Sequence, residues 1–338
     1  VDEASMVDLA LMAKLFEAVS ENGRLILIGD KDQLASVEAG SFLGDICDRN
    51  VMHGFSAPFM NRIKELTGED LEQEGQTTVA QSGLQDAIVV LQKSYRFEVG
   101  SGLGDLSRAV NRADAEKTFQ MLSDENDRSI TWQALQADED LFENLSSQIV
   151  SGYQSYLKTK DPAAALQHLQ RFKILCALNI GPLGVQAINR LAEQVLRRQN
   201  LIKPDPTAEN PWYAGRPVLI TRNHYPLGLF NGDIGVTLPD AEAADHQLAV
   251  FFAGDSGEVR RFQPYQLPKH TTVYAMTVHK SQGSEFDEVF FILPDSDFPI
   301  LTRELIYTAL TRARKSITIW GTRSIISKAI TRQIKRTS

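Results

Sequence analysis

Apolar residues along the chain recur in the two spacings that distinguish helices from strands. Helical spacing extends over residues 6–19 and returns at 185–198. Short apolar runs of the length of buried strands alternate with these helices, at residues 24–28, 172–178, 289–293 and 317–320. Because polar or glycine-containing turns follow several of these runs, the pattern predicts an α/β fold that binds ligands at its strand ends.

Residues 215–270 change in character. Short β-type runs replace the helical spacing, at residues 216–221, 236–238, 248–252 and 259–262. Asn231-Gly232-Asp233 is a strong hairpin signal, and Asp255-Ser256-Gly257 indicates another turn. This segment predicts a small all-β insert, a barrel of about five strands, within the α/β fold.

The composition is that of a globular protein with room for two or three domains. Of its 338 residues, 43% are apolar and 23% are charged. No apolar run is long enough to span a membrane, and the first residues do not form a secretory signal. Cys47 and Cys176 lie far apart without metal-type spacing, which fits simple burial in a reducing compartment.

The net charge of −8, taken alone, argues against nucleic acid as a partner. The charge is unevenly distributed, however, since residues 303–338 contain nine Lys or Arg and one acid, Glu304. A basic segment on an acidic body is compatible with a local groove for phosphates and also with a solvated helix face. The charge distribution leaves both interpretations open.

The chain opens with an acidic pattern typical of nucleotide hydrolysis. Val1 leads directly into Asp2 and Glu3, and such a pair at a strand end can hold Mg²⁺ and activate the attacking water. Further along, the turn that begins at Gly29 contains Gln33, whose neutral amide can sense a γ-phosphate. The acidic pair alone fits a solvated helix start, and the turn with Gln33 alone fits an ordinary polar turn. Their combination favours a nucleotide site.

A dense group of polar residues follows the strand-like run 274–276. The loop 277–287 contains hydroxyls, a lysine, a glycine and a glutamate, which together can contact phosphates and ribose hydroxyls. A helix is then predicted over residues 303–314, with Arg312 and Arg314 near its carboxyl end. Arginines at this place can reach a phosphate or stabilise the helix dipole, and the sequence leaves both roles open.

Motifs that occur in one fixed order along the chain carry a family resemblance. They are DEAS, GDKDQL, SYR, NGDIG, TVHKSQGSEF and YTALTRAR. In this order they resemble motifs II to VI of superfamily 1 helicases, together with the hairpin of a β insert. The longer strings LQKSYRF, GLFNGDIG and YAMTVHKSQGSEFD are similar to those of the RecD family, the alpha subunits of exodeoxyribonuclease V, in the 5′-to-3′ branch of superfamily 1. The resemblance covers nearly the whole chain and is weakest at residues 114–160 and 242–246.

The resemblance implies two RecA-like α/β domains, with an SH3-like barrel inserted in the second. Residues 1–90 would be the C-terminal part of the first domain. Residues 91–214 and 271–338 would form the second domain, and residues 215–270 the barrel. In this family ATP binds between the domains, and single-stranded DNA runs across them.

The resemblance also assigns roles to individual residues. Asp2 would bind Mg²⁺, and Glu3 would be the general base for hydrolysis of ATP. Gln33 would sense the γ-phosphate, and arginine fingers would come from Arg96 and Arg312. Nucleotide contacts would come from Gly283 and Glu285, with Glu285 on the ribose. Contacts to DNA, or coupling of DNA to the nucleotide, would come from Thr277, His279, Lys280 and Ser281.

The family further implies a cytoplasmic helicase that moves 5′ to 3′ on DNA during double-strand break repair and recombination. Its partners would be single-stranded DNA, duplex ends, and the RecB and RecC subunits, with no membrane involved. The exonuclease centre of such a complex would belong to RecB. No further carboxylate cluster with the character of a metal site occurs in this sequence.

The chain departs from the family in one respect. The phosphate-cradling pattern G-x-x-x-x-G-K-[ST] is absent, since no Gly-Lys-Ser or Gly-Lys-Thr occurs in the 338 residues. We therefore expect a C-terminal fragment of a longer motor that starts at motif II and is inactive alone. Two alternatives stay open: a DNA-binding or scaffolding module without ATPase activity, and a standalone RecD-like helicase.

A protein made of these 338 residues alone should bind ATP weakly. The P-loop amides and lysine supply most of the phosphate contacts in this class, and the Ser or Thr of the loop is a ligand of Mg²⁺. Titration calorimetry should therefore give a dissociation constant above roughly 100 µM. Mg²⁺-dependent binding at micromolar concentrations would contradict this expectation.

Overall fold

The computed structural model describes most of the chain, namely residues 1–35, 40, 42–47, 55–70, 84, 86–91, 101–134, 141–204, 212–243, 247–254 and 257–333. The chain divides into two compact units. The first comprises residues 1–98 with 335–338, and the second comprises residues 99–334. Within the described ranges, no helix is both long enough and apolar enough to cross a membrane.

The described part of the first unit contains three α-helices, α1 (Leu9–Ala18), α2 (Phe42–Ile46) and α3 (Ala57–Thr67). The helix α1 begins later than the predicted helix 6–19, because the Asp8 carboxylate caps it by accepting a hydrogen bond from Leu11 N at 2.7 Å. Met12 is the fully buried residue of α1 and anchors the helix in the unit.

The prediction of a buried strand at residues 24–28 is wrong. The segment is not a strand, and its Ile26 and Ile28 side chains are 69% and 59% exposed. It does pair with the first residues of the chain, since Val1 N donates to Ile26 O at 2.8 Å and Ile28 N donates to Val1 O at 2.9 Å. A few backbone bonds of this kind do not bury both faces of the segment, as a central strand requires.

The described part of the second unit contains seven α-helices and ten strands. The helices are α4 (Gly102–Asn111), α5 (Ala115–Leu122), α6 (Leu141–Leu157), α7 (Pro162–Leu169), α8 (Val185–Arg198), α9 (Arg303–Leu310) and α10 (Arg323–Thr331). The strands are β1 (Ile130–Gln133), β2 (Phe172–Cys176), β3 (Pro217–Ile220), β4 (Ile234–Pro239), β5 (Leu248–Ala253), β6 (Val259–Phe262), β7 (His270–Thr272), β8 (Ala275–Thr277), β9 (Phe286–Ile292) and β10 (Ala313–Trp320).

Five of the strands form a parallel sheet in the order β1-β10-β9-β2-β8. Every residue of the interior strand β2 is buried, as expected when helices cover both faces of a parallel sheet. Cys176 of β2 lies level with Thr277 of β8 and Ile292 of β9, so the carboxyl ends of these strands form one edge. Phe286 pairs with Ala313 at the opposite edge, where β9 and β10 begin.

The predicted α/β fold is confirmed. The runs predicted at 172–178, 289–293 and 317–320 overlap β2, β9 and β10, and the helix predicted at 185–198 is α8. Strands β2 and β9 are apolar along most of their length and β10 is apolar toward its end, while α8 has a buried apolar face and an exposed charged face. The apolar spacing was therefore sufficient to locate the main elements of the sheet.

The predicted helix 303–314 is too long. The helix α9 ends at Leu310, and Arg314 lies in β10 rather than at a helix end. The chain leaves the helical path at this point because Ala313 pairs with Phe286 of β9 and begins a strand there.

The other five strands form an antiparallel sheet in the order β6-β5-β4-β3-β7, inserted in the chain between α8 and β8. Side chains on one face bury a small core of their own, formed by Val218, Ile220, Leu229, Val250 and Phe252. Side chains on the other face join the core of the parallel sheet, namely Val236, Leu238, Ala249 and Phe251. Strand alternation thus attaches the insert to the α/β fold through one face.

Four buried tyrosines, here named the tyrosine clamp, hold the connections of this insert. They are Tyr153, Tyr156, Tyr213 and Tyr274. From α6, Tyr153 donates a hydrogen bond to Tyr274 O and Tyr156 donates to Gly215 O, while the Tyr274 hydroxyl donates to Gly215 O at 3.2 Å. Burial raises the pKa of all four phenols above its ordinary value, so they remain protonated donors.

Lys173 is a fully buried amine in the parallel sheet. It lies on β2, and its Nζ donates to Val273 O at 3.1 Å and sits 5.7 Å from the centre of the Phe286 ring. Burial away from water lowers the pKa of Lys173 to about 7. Because Val273 precedes Tyr274, the amine adds a further bond at the point where the chain leaves the insert.

Replacement of this amine, in Lys173→Met, should change how stability depends on pH. An unfolded lysine keeps its ordinary pKa near 10.4, so between about pH 7 and 10 the unfolded chain holds a proton that the native chain lacks. Wild-type stability should therefore rise with pH across this window. The difference between the free energies of unfolding of Lys173→Met and wild type should fall by roughly 2 kcal/mol from pH 7.5 to 9.5. Denaturant unfolding at both pH values measures this, and an unchanged difference would show that the native amine stays charged.

Candidate functional site

The two predicted motifs of the first unit lie side by side. Ala4 N donates a hydrogen bond to Ile28 O at 2.9 Å, which places the acidic opening beside the segment that ends at Gly29. A Cβ at Gly29 would lie 3.1 Å from the backbone nitrogens of Ala4 and Ser5. The missing side chain therefore allows the turn and the acidic pair to approach each other closely.

Asp2 and Glu3 combine accessible carboxylates with a strained backbone. Asp2 is exposed, Glu3 is half-buried, and Asp2 Oδ1 accepts a hydrogen bond from Glu3 N at 2.9 Å. Glu3 has φ 51° and ψ 40°, a left-handed conformation that residues with a Cβ seldom adopt. Strain of this kind is concentrated at functional sites.

The donor chemistry of this pair fits Mg²⁺ bound together with a nucleotide. Such Mg²⁺ is held by one or two carboxylates and phosphate oxygens and keeps several waters. Asp2 is an exposed hard oxygen donor of the required type. Among the described residues, no three His, Cys, Asp or Glu side chains are grouped as a metal cage. Asp2 thus offers the kind of oxygen donor that Mg²⁺ prefers in proteins.

Gln33 lies in the turn that follows Gly29 and is 8% exposed. Its Nε2 donates to Asp30 Oδ2 at 3.1 Å, and Asp30 Oδ1 accepts from Asp32 N at 2.9 Å. The Asp30 carboxylate therefore fixes both the turn and the amide that the sequence assigns to phosphate sensing.

Arg312 occupies the turn between α9 and β10 and is 2% exposed. Its guanidinium donates to Ser284 O at 3.1 Å, to Thr308 O at 3.3 Å and to Thr311 Oγ1 at 3.3 Å. Its backbone oxygen accepts from Phe286 N at 2.8 Å. These bonds join the starts of β9 and β10 and hold a positive charge in one orientation at this edge. The bond to Thr308, in the last turn of α9, also fits the helix-dipole role.

Gly283 and Glu285 lie at the same edge, just before β9. Gly283 is exposed, and its φ of 75° is a conformation that favours glycine. Glu285 Oε2 accepts a hydrogen bond from Arg314 Nε at 2.9 Å, and the Glu285 side chain is 25% exposed. Arg314 thus pairs with Glu285, the residue predicted to bind the ribose. Because Arg314 lies in a strand and not at a helix end, it does not have the predicted role of stabilising a helix dipole.

Thr277 and the residues after it lie at the opposite, carboxyl edge of the sheet. Thr277 ends β8, and its Oγ1 accepts from Lys280 N at 3.2 Å, which fixes the following turn. Lys280 is exposed, and Thr277 and His279 are half-buried. Ser281 is fully buried and donates to Val278 O at 2.8 Å, so its hydroxyl supports the turn itself.

A groove of about 670 Å³ opens at this edge, between α8 and the antiparallel sheet. Its charged lining residues are Arg190 and Glu193 from α8, Lys269 from the insert, and Lys280. Glu193 accepts a hydrogen bond from the hydroxyl of Tyr213 at 2.6 Å. The excess of positive charge in the groove favours a polyanion such as a nucleic-acid backbone.

Sequence reasoning missed Arg190 and Lys269 as candidate binding residues. Arg190 lies on the polar face of a helix that was predicted correctly, and Lys269 lies just before β7. Each position alone looks like an ordinary solvated charge. Only the attachment of the insert beside α8 shows that both face the same groove.

The predicted site residues fall into three groups. The first unit contains Asp2, Glu3 and Gln33. The amino edge of the parallel sheet has Gly283, Glu285 and Arg312, and its carboxyl edge has Thr277, His279, Lys280 and Ser281. Arg96 lies outside the described residues.

Two family models match segments of the chain. The UvrD-like helicase C-terminal domain matches residues 272–319, and an AAA domain matches residues 1–63. The first match contains both edges of the parallel sheet from Thr277 to Arg312, and the second contains the acidic pair and Gln33. With the parallel sheet, these matches make the chain similar, in these two segments, to the C-terminal domain of UvrD-like helicases and to an AAA domain.

Curated relatives make the assignment more particular. The RecBCD enzyme subunit RecD of Mycobacterium tuberculosis is 36% identical, over 100% of this chain and 52% of its own length. The same subunit of Haemophilus influenzae is 32% identical, over 100% of this chain and 53% of its own length. The ATP-dependent RecD2 DNA helicase of Deinococcus radiodurans is 28% identical, over 98% of this chain and 37% of its own length. The chain is thus a RecD homologue along its whole length, and it spans about half the length of the RecD subunits it matches.

Proposed function

We propose that the chain is part of an ATP-dependent DNA motor of the RecD type. The observation that carries the proposal is the path of residues 277–314, all within the helicase match. This segment begins at the basic groove on the carboxyl edge of the sheet and returns to the amino edge, where Arg312 is held. A single segment that contributes to both edges would physically connect a nucleic-acid site at one edge with a nucleotide site at the other.

Residues of the first unit would serve hydrolysis. Asp2 would bind the Mg²⁺ that accompanies ATP, and the bound metal would neutralise charge on the phosphates. Glu3 would accept a proton from the attacking water. Gln33, with its amide fixed by Asp30, would respond to the presence of the γ-phosphate. The left-handed backbone of Glu3 supports a functional role for this pair.

Residues of the second unit would stabilise charge and bind the nucleotide. The transition state of phosphoryl transfer spreads negative charge over the γ-phosphate oxygens, and a guanidinium matches that charge. Arg312 is oriented by its bond to Ser284 O, so its charge needs little reorganisation before the reaction. Glu285, oriented by Arg314, would accept hydrogen bonds from the ribose hydroxyls, and Gly283 would let the nucleotide approach the backbone. Arg96 is assigned a second finger role by the resemblance alone.

The groove would bind single-stranded DNA through its backbone. Lys280 and Thr277 on one side, and Lys269 on the other, offer the cation and hydroxyl donors that phosphates accept. A motor must treat every base alike, so contacts to phosphates are the appropriate kind. The net negative charge of the chain does not oppose this, because the cations are gathered in the groove.

The intact protein would act in the cytoplasm on single strands and duplex ends, moving 5′ to 3′, with RecB and RecC as partners in double-strand break repair and recombination. The higher identity to RecD subunits, 36% and 32% against 28% for the RecD2 helicase, supports a subunit over a standalone helicase. Co-purification of the intact protein with RecB and RecC tests this choice. A monomer that binds neither RecB nor RecC would favour the standalone helicase.

Arg312→Gln in the intact protein tests the arginine-finger role. Glutamine keeps an amide donor for the neighbouring oxygens but lacks the charge, so the fold should persist. DNA-stimulated ATP turnover should fall by roughly 10³-fold or more, because fingers of this kind contribute that much. Affinity for single strands should stay near wild type, since the groove lies at the other edge of the sheet.

Lys315→Ala is the matched control for that experiment. It removes a positive charge three positions away that pairs with Asp287 at 2.7 Å on the surface. Its ATP turnover and melting temperature should stay near wild type. If Arg312→Gln keeps more than about a tenth of wild-type turnover, a deficit below about 1.4 kcal/mol, then Arg312 is not catalytic.

Charge removal in the groove tests the DNA site. Arg190→Ala and Lys269→Ala should each weaken binding of a fluorescent oligothymidylate. If each residue contacts one phosphate, each change should reduce the slope of log affinity against log salt by about 0.7. Anisotropy titrations between roughly 50 and 200 mM salt measure the slope. Arg197→Ala, at an exposed position of the same helix, is the control; slopes equal to wild type in all three variants would exclude the groove as the site.

A further inference from the structure

The strand β8 is the outermost strand of the parallel sheet as described, with β2 beside it. On the other side of β8, a single side chain takes the place of a neighbouring strand. Ala275 N donates to Asn189 Oδ1 at 3.0 Å, and Asn189 Nδ2 donates to Ala275 O at 2.9 Å. The amide of Asn189, on α8, thus satisfies both hydrogen-bonding groups that one strand residue presents outward.

Asn189 is itself held in one orientation. Its Nδ2 also donates to Val185 O, one turn earlier in α8, at 3.0 Å, and the residue is 9% exposed. Reversal of the amide would place Nδ2 against the Ala275 N–H and Oδ1 against two carbonyl oxygens. The hydrogen-bond pattern therefore fixes the orientation of the side chain and the distance between α8 and β8.

This pair of bonds lies directly beside the groove. Ala275 and Thr277 are two residues apart in a strand, so their side chains point to the same face. Thr277 in turn fixes the turn that carries Lys280. Asn189, Thr277 and Lys280 all line the groove, and Arg190 follows Asn189 on α8.

We propose that Asn189 is a positioning residue for the DNA site. By pairing with Ala275 it fixes the carboxyl end of β8 against α8, and it thereby sets the separation of Lys280 and Arg190. This inference rests on the proposed function, because it takes single-stranded DNA as the occupant of the groove. When the pairing is lost, the two cations move independently, and a phosphate backbone loses affinity because both have to be ordered on binding.

A purely structural role for Asn189 has different consequences. Unpaired polar groups at Ala275 would then lower the stability of the whole unit and reduce every activity together. A positioning role instead acts on the DNA dependence of the reaction more than on its maximal rate. The two roles are therefore separated by measuring half-saturation and maximal turnover in the same titration.

The test uses Asn189→Leu and Asn189→Asp in the intact protein. Leucine has a similar volume without the amide, and aspartate keeps the acceptor but places a carboxylate oxygen against Ala275 O. In both variants, half-maximal stimulation of ATP hydrolysis should require an oligothymidylate concentration about tenfold higher than in wild type. A change of this size is expected when the free energy of about one hydrogen bond is lost. Maximal turnover at saturating DNA should change less than about threefold. Hydrogen exchange should become faster in peptides covering residues 275–280.

Arg197→Ala, on the exposed side of α8, serves as the control and should match wild type in all three measurements. Half-saturation within about twofold of wild type in both Asn189 variants would overturn the inference while leaving the motor function standing. A parallel loss of maximal turnover and melting temperature would assign Asn189 a purely structural role and overturn it as well. Wild-type protein without DNA-stimulated hydrolysis would overturn the proposed function itself, and this inference with it.

Discussion

The backbone oxygen of Gly215 accepts hydrogen bonds from the hydroxyls of both Tyr156 and Tyr274. The rest of the second unit depends on these two hydrogen bonds. Gly215 lies where the chain enters the antiparallel insert, next to the residue where the chain returns. Gly215 has φ 89°, a conformation in which any other residue is strained, and a Cβ there would lie 2.4 Å from Leu157 Cδ2, so the Leu157 side chain would also have to move. Burial keeps the phenols protonated, and the low dielectric around them strengthens these bonds. The position of one wall of the groove follows from this clamp.

Two groups of polar side chains lie at opposite edges of the parallel sheet, one strand length apart. Cations and hydroxyls collect at the carboxyl edge beside the insert, whereas Arg312 and Glu285 lie at the amino edge. The chain from Thr277 to Phe286 crosses between these edges in a few residues. Ser281 Oγ bonds to Val278 O within this crossing, and the Arg312 guanidinium bonds to Ser284 O near its end. The crossing segment is therefore fixed by hydrogen bonds near its middle and near its end.

Sequence periodicity was sufficient for the elements that pack in the ordinary way. The helix predicted at 185–198 has the bounds of α8, and the apolar runs of β2, β9 and β10 identify buried strands. Strand β1 was missed because its residues, Ile130-Thr131-Trp132-Gln133, alternate in a polar setting and are held mainly by pairing with β10. The run at 24–28 was overestimated because apolar content alone does not distinguish an exposed segment from a central strand.

Motifs led to predictions for some site residues, whereas contacts that the fold creates gave no signal in the sequence. Asp2 and Gln33 were predicted from local patterns, and the structure places the segments that carry them side by side. The burial of Arg312, and the pairing of Arg314 with Glu285, depend on where α9 ends, which a helical pattern does not specify. Asn189 gave no signal at all, since an asparagine on a helix is ordinary until its amide is seen to pair with a strand edge.

The insert begins and ends at nearly the same place, since Val273 N donates to Pro217 O at 3.0 Å. Closing a loop whose ends already touch costs the host little conformational entropy, and that cost grows only slowly with the length of the loop. The connection itself therefore sets little limit on the length of the insert, although β4 and β5 are fixed by the side chains that they contribute to the core of the parallel sheet. Turns and edge strands of the insert that do not pack on the parallel sheet can therefore change in length or charge without a change in the strand order of that sheet, so the wall opposite α8 can be altered with less cost to the host fold than α8 itself.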